Sequence, residues 1–499
     1  MITFFFKTYG CLANVADSQS VAKYLKLLGC DDVATEDQAD IIIINTCAVR
    51  DKAEQKLFSY IGQLIDLKKK RPYLNVGIMG CVASYKKDEI YKRFDLVNFV
   101  HGARDDINIL QAFLADLVVK LETKKQLFDQ QEFSGQVLLE ELEGGAAGNP
   151  KTVALHTKIW SGGQAGDLRK RFTIDNLASK YALASKGRID FDEKLQDIKP
   201  FKKELELNRS FITIMTGCNK YCDYCIVPFT RGREVSFSAQ AILDRISYDV
   251  TQGAREVTLV GQNVNSYKDP VTGADFSELL RQVAAMPGEF WVRWMSPHPQ
   301  DMTPELFDVI SAHQDRIPAY VHFPVQSGSN RILELMKRNY TREYYLEQIK
   351  WLRDRMPDAV ISTDIIVGFP GETEEDFVQT YDLLEKVRFD FSYLFIYSPR
   401  QYTGASKRED SCSKQVKNDR LELLKKRQLE IALEKNSERI GTIMKTLVEK
   451  RLTNGKLLAR TQGNIRVLFN GDDSLIGNFV DVKIDTVAPT SFFATILRS

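Results

Sequence analysis

Short apolar runs alternate with stretches of helical spacing along two parts of the chain. The first runs are Thr3-Phe4-Phe5-Phe6, Ile41-Ile42-Ile43-Ile44 and Val76-Gly77-Ile78-Met79. Runs this short and this continuous fit strands buried on both faces, as in parallel sheets. Helical patterns follow each of them, beginning with Ala16 to Leu28. The alternation predicts a doubly wound α/β domain over residues 1–122. A second alternation starts at Phe211–Met215. It continues through Glu256–Val260, Phe290–Met295, Tyr320–Phe323, Val360–Val367 and Phe391–Ile396. Six βα units are fewer than the eight of a closed barrel, so residues 209–440 are expected to form a partial (βα)6 barrel with a charged connecting helix from Lys414.

Two segments break this pattern. Residues 123–208 are charged and weakly periodic, interrupted by Gly144-Gly145-Ala146-Ala147-Gly148-Asn149-Pro150 and Gly162-Gly163, and read as an insertion or linker on the surface. Residues 441–499 carry Asn454-Gly455, Gly463-Asn464, Asn470-Gly471 and Gly477-Asn478, turn dipeptides that predict a small all-β domain.

Composition narrows the class. The 499 residues, 43% hydrophobic and 27% charged, describe a folded chain with several domains. No apolar run reaches the length of a membrane span and no signal-peptide pattern opens the chain, so a cytoplasmic protein without membrane contact is expected. A net charge of +1 gives no global field for nucleic acid. Any such partner must meet a local patch. Residues 441–499 have eight Lys and Arg against five Asp and Glu, and Lys445, Lys450, Arg451, Lys456, Arg460 and Arg466 are candidates for phosphate contact.

Eight cysteines are too few for a disulfide scaffold of this size, and in a reducing compartment clustered cysteines point to metal or redox chemistry. Cys11, Cys47 and Cys81 each lie just beyond the carboxyl end of an expected parallel strand. Such ends share one rim in an open α/β sheet, where ligands bind. The three should converge. Cys30 and Cys412 have no comparable placement and read as structural.

Cys218, Cys222 and Cys225 sit on one loop at the top of the first barrel strand. Structural zinc takes four protein ligands in a closed tetrahedron, and no fourth Cys or His is near in sequence. A 4Fe-4S cluster takes four thiolates, so three leave one iron open to another ligand. The spacing resembles that of the radical S-adenosylmethionine superfamily. Met215-Thr216-Gly217-Cys218-Asn219, Ile226 to Glu234, Thr363 to Glu372, Thr8-Tyr9-Gly10-Cys11, Asn45-Thr46-Cys47 and Gly80-Cys81 narrow the resemblance to the radical methylthiotransferases.

That resemblance implies two 4Fe-4S clusters, the second held by Cys11, Cys47 and Cys81, and a closing β-rich TRAM domain. It implies S-adenosylmethionine in two roles: a methyl source for sulfur at the amino-terminal cluster, and a radical source at the barrel cluster. The methylthio group would go to an unactivated carbon of tRNA. Val260 to Tyr267 resembles the branch that modifies isopentenylated adenosine at position 37, beside the anticodon; sister branches act on threonylcarbamoyladenosine or a ribosomal protein. Partners implied are the anticodon stem-loop, an electron donor such as flavodoxin or ferredoxin, and a sulfur donor. A monomer is expected.

Cofactor contacts are expected from Tyr224, from Gly261, Gln262 and Asn263, from Gln326 and Ser327, and from Asp364. For Tyr224 a packing role is the other reading, and for Gly261 to Asn263 a strand-end turn. Asp364 could serve as acid, ribose contact or structural carboxylate. His298 and His322 read as hydrogen-bonded structural residues, and Gly368 to Glu372 suits a tight corner. The sequence departs from the family at three places: the insertion, Val235-Ser236-Phe237, and Ser398 to Ser406 where Arg-x-Gly-Thr-Pro-Ala is commoner.

Overall fold

The computed structural model describes residues 1–48, 51–142 and 208–497. It divides into two compact units, residues 1–199 and 200–499. In the first, strands β1 (Thr3–Tyr9), β2 (Asp31–Asp32), β3 (Ile41–Thr46), β4 (Asn75–Gly80) and β5 (Val97–Gly102) form one parallel sheet in the order β2-β1-β3-β4-β5. Helices α1 (Leu12–Leu27), α2 (Asp51–Lys70), α3 (Cys81–Arg93) and α4 (Ile107–Leu142) connect or follow the strands. The β3 run is buried along its whole length, the expected behaviour of a central parallel strand. Helix α4 continues through position 123, so the change of sequence character there is not an element end. The rest of the insertion, with its glycine clusters, lies outside the described residues.

The second unit holds six parallel strands in two neighbouring ladders. One joins β6 (Arg209–Thr213), β9 (Glu256–Val260) and β10 (Trp291–Trp294). The other joins β11 (Tyr320–His322), β12 (Val360–Val367) and β13 (Phe391–Ile396). Between the two ladders Val292 donates to the Arg316 carbonyl at 2.8 Å. The first strand begins and ends two residues earlier than its apolar run, Phe211–Met215. After β6 the chain turns, and β7 (Met215–Thr216) pairs antiparallel with β8 (Val235–Ser236), clasping the two ends of the cysteine loop. Valine, leucine, isoleucine and phenylalanine from all six strands and the surrounding helices make one core.

The carboxyl-terminal strands β14 (Ile443–Arg451), β15 (Leu457–Thr461), β16 (Arg466–Phe469), β17 (Phe479–Ala488) and β18 (Ser491–Ile496) close into a barrel in the order β14-β15-β16-β18-β17. Closure leaves no edge strand to pair elsewhere. This barrel docks on the amino-terminal ends of the larger one. Glu256, fully buried at the start of β9, accepts from Arg293 at 2.6 Å, Arg209 at 2.8 Å and Arg460 at 2.9 Å. Arg293 also donates to the carbonyls of Gln462 and Thr461. Arg460, expected at a phosphate, is therefore spent inside the protein: it binds Glu256 and Glu449.

Candidate active site

Register determines where the amino-terminal cysteines fall. Tyr9 lies opposite Thr46, and Thr46 opposite Gly80, on three neighbouring strands. Cys47 and Cys81 each follow those paired residues directly, and Cys11 follows two residues after Tyr9. Adjacent strands lie about 4.8 Å apart, so the chain segments that carry the three cysteines leave the sheet along one short rim. Cys47 N–H donates to the Tyr9 carbonyl at 2.9 Å. Burial, then the Glu54 carboxylate it bonds at 2.6 Å, then Cys81 and Cys47 raise the Tyr85 hydroxyl pKa.

Two fully buried asparagines hold this rim, and nothing in the sequence pattern singled out Asn14. Its amide donates to Asn45 Oδ1 at 2.9 Å, and Asn45 returns a bond to the Asn14 carbonyl at 2.7 Å and one to Ser18. Asn14 Oδ1 accepts from the Cys11 backbone and lies 3.3 Å from its Sγ. Gly80 has φ +98, and a Cβ there would run into Asn45 Oδ1 and the Thr46 carbonyl. A left-handed L-residue costs about 1–2 kcal/mol before any clash. Gly80→Ala is therefore expected to cost at least about 2 kcal/mol. It should also lower bound iron by about half after reconstitution, measured by denaturant unfolding and iron assay.

At the barrel mouth, Cys218 N–H donates to the Gly232 carbonyl at 3.1 Å and Cys225 N–H to the Cys222 carbonyl at 2.9 Å. Gly217 has φ +80 and packs so closely on Arg233 that no side chain fits. Burial pushes the Cys218 thiol up to about 11 and, with Cys222 beside it, the Cys225 thiol up to about 12. Asp223, buried between two of the cysteines, pairs with Lys337 and Arg408 at 3.1 Å each. Its backbone bonds Met336 and Ala405. The loop is thus pinned to two other segments that the sequence left unconnected.

The departure at Ser398 to Ser406 acquires a physical reason here. Tyr402 stands where glycine is commoner and keeps the glycine-like φ of +71, half exposed, its ring 6.2 Å from Phe229. Gly404 stands where proline is commoner, and a Cβ there would strike the Asp223 carboxylate.

The residues expected to touch cofactor divide. Gly261, Gln262 and Asn263 follow β9, Gln326 lies four residues beyond β11, and Asp364 lies within β12. Asn263 Oδ1 is buried with no partner among the described residues, a polar atom still available to a ligand, while its amide binds Asp301 at 2.7 Å. Gln326 has φ +75 and is bridged through its backbone to Asp364 and Ile366. Asp364 Oδ2 lies 3.6 Å from His322 Nε2. Gln262 and Ser327 also have partners within the protein. Gln262 Oε1 accepts from Gly217 N–H at 2.6 Å, so it braces the cysteine loop. Ser327 is fully buried and bonds Thr380 and Ser329, serving the packing of the following helices. Tyr224 Oη lies 3.4 Å from Arg338, a residue no motif had marked. Gly368 to Glu372 is a tight corner, closed by Gly368 N–H on the Glu372 carboxylate at 2.7 Å. Cys30 and Cys412 stay outside both rims: Cys30 is buried, and Cys412 Sγ meets the Glu372 carbonyl at 3.3 Å.

The donor set fits an iron–sulfur cluster better than zinc. His298 Nε2 is the nearest candidate for a fourth zinc ligand, 3.9 Å from Cys222 Sγ. Its Nδ1, however, accepts from Gln300 N–H at 3.2 Å, which leaves the proton on Nε2. His298 is a donor to sulfur, not a lone pair for a metal. Burial, then Arg338 and Lys220, keep it neutral by lowering its pKa. Among the described residues no three His, Cys, Asp or Glu side chains close around a single ion.

A half-barrel of six parallel strands with three cysteines after its first strand, and no fourth protein ligand among the described residues, defines a radical S-adenosylmethionine enzyme. Residues 212–384 match the Radical SAM superfamily, residues 3–102 the Uncharacterized protein family UPF0004, and residues 438–497 the TRAM domain. The tRNA-2-methylthio-N(6)-dimethylallyladenosine synthase of Carboxydothermus hydrogenoformans is 38% identical over 97% of this chain and 96% of its own. That of Clostridium perfringens is 36% identical over 99% and 98%. The chain belongs to the family of these synthases. In fold it resembles the radical S-adenosylmethionine methyltransferase TsrM from Kitasatospora setae, with a TM-score of 0.50 at 12% identity, covering 81% of this chain and 75% of that one.

Proposed function

We propose that this chain converts N6-isopentenyladenosine at tRNA position 37 to its 2-methylthio derivative, with Cys218, Cys222 and Cys225 holding one 4Fe-4S cluster and Cys11, Cys47 and Cys81 a second. The observation that carries the reading is the register of β1, β3 and β4, which sets side by side the strand ends that precede Cys11, Cys47 and Cys81. When bound, the clusters and S-adenosylmethionine supply the radical that takes hydrogen from an unactivated carbon, and the sulfur and methyl group that replace it.

The protein's own part is positioning. Gly217, Gln262 and Asp223 hold the barrel cysteine loop in one conformation, and Asn14 and Asn45 do the same for the amino-terminal rim. Gly261, Asn263, Gln326 and Asp364 offer polar contacts around the barrel mouth, and Tyr224 offers a ring face beside the cysteines. In this reading residues 1–122 carry the sulfur-delivering cluster, 209–440 the radical core and 441–499 the tRNA-binding TRAM module, with 123–208 as an insertion. Flavodoxin or ferredoxin would supply the electron and a separate donor the sulfur, the chain acting as a cytoplasmic monomer. No helix among the described residues is long and apolar enough to cross a membrane.

Of the basic candidates in the TRAM domain, Arg460 and Arg451 are engaged by Glu256 and Asp473, Lys445 pairs with Glu289, and Arg466 Nη2 reaches Thr490. Lys450 is exposed and Lys456 partly so. Lys450→Ala and Lys456→Ala are each expected to weaken tRNA binding and to reduce the slope of log affinity against log salt by about one, read in filter-binding titrations.

The deciding experiment is anaerobic turnover of the reconstituted protein with isopentenylated tRNA, reductant and S-adenosylmethionine, followed by nucleoside mass spectrometry. The methylthio nucleoside is the expected product. Activity confined to threonylcarbamoyladenosine tRNA or to a ribosomal protein would replace the substrate assignment with that of a sister branch. About one zinc per chain with no sulfide would end the radical reading.

A further inference from the structure

We propose that Arg338 and His298 set the electron affinity of the barrel cluster through the sulfur of Cys222, to which both donate an N–H. The inference rests on Cys218, Cys222 and Cys225 being the cluster ligands. Arg338 Nη1 lies 3.4 Å from Cys222 Sγ, and His298 Nε2 lies 3.9 Å from it.

The burial of Arg338 is what needs an explanation. Its residue is 3% exposed, and its other partners are the Pro324 carbonyl at 2.8 Å and the hydroxyls of Tyr340 at 3.0 Å and Tyr224 at 3.4 Å. All three are neutral, and among the described residues no carboxylate stands within ion-pair distance of it. Three other buried guanidiniums of the barrel have theirs: Arg293 meets Glu256, Arg342 meets Asp382, and Arg420 meets Glu372. Arginine cannot shed its proton, so a buried one without a counter-charge destabilises the fold unless an anion is supplied. The group that Arg338 faces is a cysteine sulfur. A thiolate-bound cluster provides the missing negative charge.

The geometry is held from both sides. Arg338 sits between Lys337 and Asn339, whose φ angles of +55 and +56 form a tight turn after the helix Asn330–Leu335. His298 is clamped by Asn265, which accepts from its backbone N–H at 2.9 Å and donates to its carbonyl at 3.0 Å. With Nδ1 occupied by Gln300, only Nε2–H can face the sulfur. Reduction adds one negative charge to the cluster. A fixed positive charge and N–H donors at a ligating sulfur favour the reduced state and raise the potential. Arg338 and His298 are positioning residues in this sense; neither needs to touch substrate.

The test uses the full chain with Cys11, Cys47 and Cys81 changed to alanine, so that only the barrel cluster assembles. Iron and sulfide are assayed, and the midpoint potential is read by anaerobic redox titration followed by electron paramagnetic resonance. Arg338→Leu and His298→Phe should each shift the midpoint to more negative values, Arg338→Leu the further. Arg338→Lys should fall between Arg338→Leu and the parent. Unchanged midpoints in variants with full iron content would overturn the proposal. So would an unchanged midpoint with weakened S-adenosylmethionine binding, which would pair Arg338 with the cosubstrate carboxylate instead. If Arg338→Leu fails to hold a cluster, Arg338→Lys and His298→Phe decide by the same criterion. A parent protein without iron would overturn the ligand assignment itself, a result distinct from unshifted potentials.

Discussion

Cys47→Ala is expected to abolish methylthiolation of isopentenylated tRNA while reductive cleavage of S-adenosylmethionine stays measurable. The reason is the division of the chain. Cys47 lies in the unit of residues 1–199, at the end of β3, whereas Cys218, Cys222 and Cys225 lie in the unit of residues 200–499 with a core of their own. With Cys11, Cys47 and Cys81 as the proposed ligands, removing one sulfur would leave two thiolates, too few to keep a cluster, and would leave the other loop untouched. Because Cys47 is a small buried side chain, alanine costs the domain little packing, so the protein should still fold. The check is parallel measurement of 5′-deoxyadenosine by chromatography and of the methylthio nucleoside by mass spectrometry. Loss of 5′-deoxyadenosine with the barrel iron intact would contradict the assignment of roles.

The largest effect on stability should come from Glu256→Ala. This carboxylate is fully buried and is shared by Arg209, Arg293 and Arg460, two from the larger barrel and one from the TRAM barrel. Removing one partner of a buried ionic set costs about 3–5 kcal/mol, because the remaining charges stay buried without compensation. Here three guanidiniums would lose their common anion. The variant should unfold at markedly lower urea. Backbone amides around Gln462 and Thr461, whose carbonyls receive Arg293, should exchange faster. Glu256→Gln keeps the shape but not the charge, and is expected to recover only a minor part of the loss. Burial alone would raise the Glu256 pKa, but Arg293, Arg460 and Arg209 outweigh it and hold it well below the usual carboxylate range. A depressed folded-state pKa means that this stabilisation is present above the unfolded value and is lost only as pH falls through the folded one. The contribution should therefore persist through mildly acidic pH and disappear only in strong acid.

Much of this architecture is legible without coordinates because its signals are local. The apolar runs at Ile41–Ile44, Glu256–Val260, Val360–Val367 and Phe391–Ile396 became strands with those bounds or nearly so. Buried parallel strands must be apolar on both faces, which leaves an unambiguous run. Turn dipeptides such as Asn454-Gly455 fell between strands for an equally local reason: Gly455 supplies the positive φ of +81 that the hairpin needs. The six cysteines stood out because thiols are rare and their spacing is short, or because each follows a strand.

What escaped the sequence depends on contacts between distant residues. Arg338 lies 116 positions from Cys222, and only the folded barrel shows that its guanidinium has a sulfur for a neighbour and no carboxylate. Gln262 and Ser327 both follow strands, and only the fold shows that Gln262 bonds Gly217 N–H and Ser327 bonds Thr380. Position places a residue at the rim, but rotamer and packing decide whether it faces a ligand or braces a loop. Arg460 looked like a surface cation until the docking of the TRAM barrel buried it against Glu256. The sequence by itself determined the class of fold, the two cysteine trios and the order of the modules, since each is written in local pattern or residue chemistry. The tertiary structure alone decided which polar side chains hold those trios in place, because hydrogen bonds and counter-charges are satisfied in space, across separations that no spacing along the chain encodes.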